Sequence, residues 1–208
     1  MKILAKIISY LFHPLLMPTF GLWLMLSVDP YLAFMIHPEI TRILFIVVFI
    51  STFVFPVLSS IFLLYAGKIE SLEMQTPQER RTPYLLTTVY YTLGYYTITS
   101  KIPNLPEEVS LMLLGANLSV VLTLIINIVR KISAHAVAIG GLIGAFMGVG
   151  LISAIGFANV LALLFILAGL IGYARLKLDA HKPIEVYMGF GLGFACEFIL
   201  FVFFNHAG

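Results

Sequence analysis

The chain has 208 residues, of which 61% are hydrophobic and 11% charged, with a formal net charge of +2. A mean hydropathy of +1.04 excludes an ordinary soluble globular domain, and so small a net charge gives nucleic acid no electrostatic footing. The lone Cys196 excludes an internal disulfide.

Seven apolar stretches approach or reach the roughly 20 residues needed to cross a bilayer core as a helix. In chain order they are Ile7–Val28, Thr41–Gly67, Tyr84–Ser100, Val109–Val129, His135–Ile155, Gly156–Tyr173 and Ile184–Phe204. The third and sixth are short enough to be tilted or partly re-entrant. Backbone polar groups in lipid must pair internally, so the predicted fold is all-α, a polytopic transmembrane bundle of six to seven spans. Residues 1–208 are expected to form a single integral membrane domain without a soluble appendage. The basic, apolar start MKILAKIISYLFHPLLMPTF has no small-residue cleavage site, so it is read as a retained first span. The last five residues, FNHAG, are read as a short frayed tail.

With seven spans, the N-terminus and the loops Lys68–Pro83, Arg130–Ala134 and Ala174–Pro183 share one face. That face holds Lys2, Lys6, Lys68, Arg80, Arg81, Arg130, Lys131, Arg175, Lys177 and Lys182, against Arg42 and Lys101 on the other. Lys and Arg excess marks the cytoplasmic side, so this face is expected there. Gly140, Gly144 and Gly148 recur every four residues in the fifth span, spacing that lets helix backbones approach in lipid. The cluster GFGLGF at Gly189–Phe194 follows no strand and is not a dinucleotide fingerprint. His13 and His37, each followed by proline, read as caps or interfacial residues.

The three loops each carry polar chemistry: KIESLEMQTPQERRTP, RKISAH and ARLKLDAHKP. Ser133 suits the N-cap of a helix that starts near His135. Pro183 suits the first turn of the last helix, which puts His181 just before it and Glu185 inside that turn. Both histidines then lie at helix N-termini, where free N–H groups and the macrodipole favour an anion. The forked guanidinium groups of Arg175 and of Arg80 or Arg81 match phosphate oxygens. Two histidines, a carboxylate and arginines around an anion pocket are the inventory for phosphoryl transfer through a histidine nucleophile.

Arg175, five residues, His181, three residues, Glu185: this resembles the third signature of the type 2 phosphatidic acid phosphatase superfamily, Ser-Arg, five residues, His, three residues, Asp. ISAH at Ile132–His135 resembles its second, Pro-Ser-Gly-His, and ERRTP at Glu79–Pro83 the end of its first, Lys, six residues, Arg-Pro. The resemblance covers about residues 68–193. Met74 stands at the lysine position counted back from Arg81, Thr82 separates Arg81 from Pro83, and Ile132, Ala134, Ala174 and Glu185 replace Pro, Gly, Ser and Asp.

The resemblance implies a phosphatase that uses neither metal nor cofactor and acts on a lipid or isoprenoid phosphate or diphosphate, probed from the surrounding membrane lipids. His181 would be the nucleophile, Glu185 its orienting acid, and His135 the proton donor to the leaving oxygen and later the base for water. Arg175 and Arg81, with Arg80 in reserve, would clamp the phosphoryl oxygens, assisted by Ser133 and the backbone at Ala134. Lys177 or Lys182 would be the substitutes for the missing lysine. The expected location is a bacterial cytoplasmic membrane, with the site on its cytoplasmic face. The alternatives are a non-enzymatic relative that binds or moves a lipid phosphate, and a small transporter. Glu197, ~20 Å along the last helix from Ile184, points to the latter.

Overall fold

The computed structural model describes residues 1–74, 76–152 and 156–205, and these form helices joined by short turns. The predicted end of the fifth span and most of the C-terminal tail, residues 153–155 and 206–208, lie outside the described residues, as does Gln75 in the first polar loop. The chain runs α1 (Lys2–Leu11), α2 (Met17–Val28), α3 (Pro30–Met35), α4 (Pro38–Phe49), α5 (Phe55–Tyr65), α6 (Pro77–Lys101), α7 (Glu107–Val129), α8 (Ala134–Ile152), α9 (Ala158–Lys177) and α10 (Pro183–Asn205). Among the described residues, six continuous or gently broken helical runs are long and apolar enough to cross a membrane: Lys2–Val28, Pro38–Tyr65, Glu107–Val129, Ala134–Leu151, Ala158–Lys177 and Pro183–Phe204.

α6 is long enough but more polar, and it lies outside those six. It nevertheless packs along α7, and the Thr92 hydroxyl reaches the Asn117 side-chain oxygen at 3.2 Å. These two residues lie equally far from the intervening turn, so the helices are antiparallel and span the same depth. Thr87, Thr88 and Thr92 donate to the carbonyls of Pro83, Tyr84 and Thr88, which satisfies their hydroxyls inside the helix. The third stretch is therefore a full-length helix, and the sixth, α9, is a full-length apolar one; neither is re-entrant.

Two proline-bearing breaks shape the N-terminal half. Pro14 restricts His13 to extended backbone, and α1 gives way to a single 3-10 turn, Pro14–Leu16, before α2. In the second run Pro56 cannot donate to the helix, and the preceding turn, Ile50–Val54, widens to a π-helix. Gly94 of α6 accommodates that wide turn: a Cβ there would strike the Ser51 side chain.

α8 is the central helix, in contact with α2, α7, α9 and α10. Its predicted glycine stripe packs on α10. Cβ atoms at Gly140 and Gly144 would strike the carbonyls of Phe190 and Phe194, and one at Gly148 the Phe201 ring. The GFGLGF cluster supplies the reciprocal contacts, because Gly189 faces the Ser133 carbonyl and Gly193 the Val137 carbonyl. The contacts advance in step along both chains, so α8 and α10 run parallel and start at the same face. Such close backbone approach is what holds helices together where lipid offers no hydrophobic drive.

Candidate functional site

The starts of α6, α8 and α10 and the ends of α9 and α1 meet around one cavity of about 610 Å³. Its volume suits a small amphiphile. The predicted convergence of three polar loops on one face is therefore present, and α1 joins them.

His181 is placed by the turn after α9. Asp179 takes a left-handed backbone (φ 53°). Its N–H bonds the Leu176 carbonyl, and the Ala180 N–H bonds that of Arg175. This Schellman pairing ends α9 and turns the chain sharply into α10. Glu185 then does two things from the first turn of α10. Its Oε2 accepts from the Lys182 N–H at 3.3 Å, as an N-terminal cap, and lies 2.7 Å from His181 Nδ1. The imidazole side chain is only 3% exposed. With Nδ1–H donated to the carboxylate, Nε2 keeps its lone pair.

Burial drives the His181 pKa below its ordinary 6.5, to about 4; Glu185 opposes this, and Arg80, Arg175 and Lys131 add to it. The ring is consequently neutral at physiological pH. Nucleophilicity requires that state.

His135 follows the predicted cap. Ser133 is fully buried, and its hydroxyl accepts from the Ala136 N–H at 3.4 Å. The Ser133 N–H donates to the Glu185 carbonyl at 3.1 Å, which ties the start of α8 to the first turn of α10. His135 Nε2 donates to the Ser9 carbonyl at 3.0 Å, and its ring meets that of His13 edge-on at 5.8 Å between centroids. Ala134 lines the cavity beside it.

The two adjacent arginines of the first loop part company. Arg80 is 7% exposed and lines the cavity, with its Nε donating to the Met74 carbonyl at 2.7 Å. Arg81 is exposed and does not line it. The preference for Arg81 is corrected by helical phase, since successive residues point about 100° apart. The Thr76–Glu79 capping box sets that phase at the start of α6. Arg175 reaches the Ser9 hydroxyl at 3.2 Å through one terminal nitrogen, while its buried Nε has no partner.

Lys177 and Lys182, considered as substitutes for the missing lysine, are exposed and stand outside the cavity. Lys131 differs from both. It is half-buried and lines the cavity, and burial first, then Arg80 and Arg175, lower its pKa against the pull of Glu185. Lys2 and Lys6 of α1 also line it, as do Glu73 and Asp179. Sequence reasoning put Lys2 and Lys6 on this face but did not bring α1 into the site. Ser9 carries no signal of its own. His13 shows the predicted cap, accepting from the Leu15 N–H at 3.4 Å, but that cap left its contact with His135 unseen.

Among the described residues, the fold and site together are a helical bundle with six membrane-competent runs and a cation-rimmed cavity. No family model matches the chain, and neither a curated protein nor a solved structure does.

Proposed function

We propose that this chain is an integral membrane phosphatase with a core like that of the type 2 phosphatidic acid phosphatases, hydrolysing an amphiphilic phosphate through a phosphohistidine. One observation carries the reading. His181 is buried, hydrogen-bonded to Glu185 at 2.7 Å through Nδ1, and surrounded by Arg80, Arg175 and Lys131.

His181 Nε2 attacks phosphorus and forms the P–N bond as the P–O bond to the leaving group breaks. The leaving oxygen takes a proton from His135, and water, giving up a proton to the same ring, then cleaves P–N to release inorganic phosphate and free imidazole. Glu185 holds the ring and balances the charge that develops on it. Arg80, Arg175 and Lys131 face the charge on the phosphoryl oxygens, where preorganised donors contribute most. The unpartnered Nε of Arg175 is a donor still to be used. The cation excess of this face supports a site on the cytoplasmic side of the membrane.

A second reading, a binder of lipid phosphates without turnover, draws on His135. Its Nε2–H is committed to the Ser9 carbonyl, so proton delivery to the leaving group needs the other ring nitrogen or a ring shift.

Purified protein is mixed with a radiolabelled lipid phosphate, quenched in alkali, in which phosphohistidine survives, and analysed for label on protein and in inorganic phosphate. The proposal expects labelled protein that loses its label in acid. His181→Ala should abolish both signals. Phosphate release undiminished in His181→Ala would overturn the mechanism, and tight binding with no release by the native chain would select the binder.

A further inference from the structure

The cavity does not end at the cationic mouth. It runs inward between α6, α7, α8 and α10 to Glu197. Twelve residues separate Glu185 from Glu197 along α10, about 18 Å at the helical rise. The walls are largely apolar and include Met17, Met112, Val120 and Leu142. A polar group is foreign to that depth. Yet Glu197 is 3% exposed and Ser119 is 6% exposed, and both line the cavity. Glu197 Oε2 has no hydrogen-bond partner, and the Ser119 hydroxyl has only the weak Cys196 thiol beside it.

The carboxyl is held there by design of the backbone. A Cβ at Gly115 of α7 would strike the Glu197 carboxyl, and one at Gly141 of α8 would touch its stem at 3.5 Å. Gly115 and Ser119, four residues apart, share one face of α7: a hollow that admits the carboxyl, then a hydroxyl one turn nearer the mouth.

We infer that the inner end of the cavity binds a hydroxyl carried on the chain of the amphiphilic phosphate, near the far end of a chain long enough to cover the about 18 Å of helix between Glu185 and Glu197. This rests on the phosphate reading of the mouth. A plain hydrocarbon tail filling the cavity would leave Glu197 and Ser119 buried without a good partner, the costly arrangement. A hydroxyl both donates and accepts, and it meets a carboxyl and a hydroxyl that can do the complementary part. The site therefore selects a hydroxylated chain over a saturated one.

The test reads binding, so a failure of catalysis does not enter it. Dodecyl phosphonate and ω-hydroxydodecyl phosphonate, which lack the cleavable ester, are titrated by calorimetry into the full chain in lipid nanodiscs. The native chain should bind the hydroxylated compound at least about tenfold tighter, the discrimination expected when one buried hydrogen-bonding set is left unpaired. Glu197→Gln, which keeps shape and hydrogen bonding, should retain most of that ratio. Glu197→Leu should bring it to unity or invert it, and Ser119→Ala should reduce it. Arg80→Gln should weaken both compounds alike and leave the ratio unchanged. Equal affinities in the native chain would overturn the inference and mean that water alone serves these groups. A preference surviving Glu197→Leu would overturn it as well. If neither phosphonate bound, the phosphate reading of the mouth would fall, and this inference with it.

Discussion

Beside His181, three cations and a carboxylate pull in opposite directions, and burial decides the outcome. The ring's pKa falls to about 4, so the neutral nucleophile is present above that pH and is lost as the pH drops through it. The acid limb of kcat/KM, which reports the free protein, should accordingly lie near 4 rather than near 6.5. Arg80→Gln removes a cation that disfavours protonation, so it should move the limb to higher pH; a limb that stayed put would show Arg80 remote from the ring. The same substitution should cost about 10²–10³-fold in rate if Arg80 faces the charge on the phosphoryl group. Arg81→Gln, at an exposed position outside the cavity, should leave the rate within about twofold, as most surface changes do. Initial-rate measurements on the pair decide which arginine serves the site.

α8 and α10 are the elements that register the two histidines, and their glycines set the register. Gly193→Ala would drive a Cβ into the Val137 carbonyl, and backbone cannot swing aside as a side chain can. Overpacking of this kind costs about 1–3 kcal/mol. The expected outcome is a lower midpoint of thermal unfolding in detergent, with phosphoenzyme formation falling because the Ser133–Glu185 tie is strained. Gly191→Ala on the same helix meets nothing within 4 Å and should leave the midpoint unchanged. Equal behaviour of the two variants would mean that α8 and α10 do not pack as described. The stripe at Gly140, Gly144 and Gly148 was legible in the sequence as spacing. Its partner was not, because GFGLGF acquires a meaning only once α8 lies parallel to it.

For the whole molecule, the open question of orientation has a direct measurement. With Cys196 replaced by Ser, a cysteine at the exposed position Gln78 should resist a membrane-impermeant thiol reagent in intact cells, while one at the exposed position Glu107 should react. The reverse pattern would place the cation-rimmed mouth outside. If no ordered metal takes part in turnover, phosphate release should survive excess EDTA; its loss, with recovery on adding Mg²⁺, would point to a different chemistry. What the amino-acid order determined by itself was local and one-dimensional. Unbroken apolar length marked the spans, Ser133 and Pro183 marked helix starts, and the four-residue step from His181 to Glu185 set their pairing. The tertiary structure decided azimuth and company: Arg80 inward and Arg81 outward, Lys131 at the mouth, Ser9 and His13 of α1 beside His135, and a cavity reaching Glu197. The physical reason lies in the solvent. In water an amphipathic moment shows which face of a helix is buried, but in lipid both faces are apolar, so rotation is set by interhelix packing that the order of residues along one helix does not display.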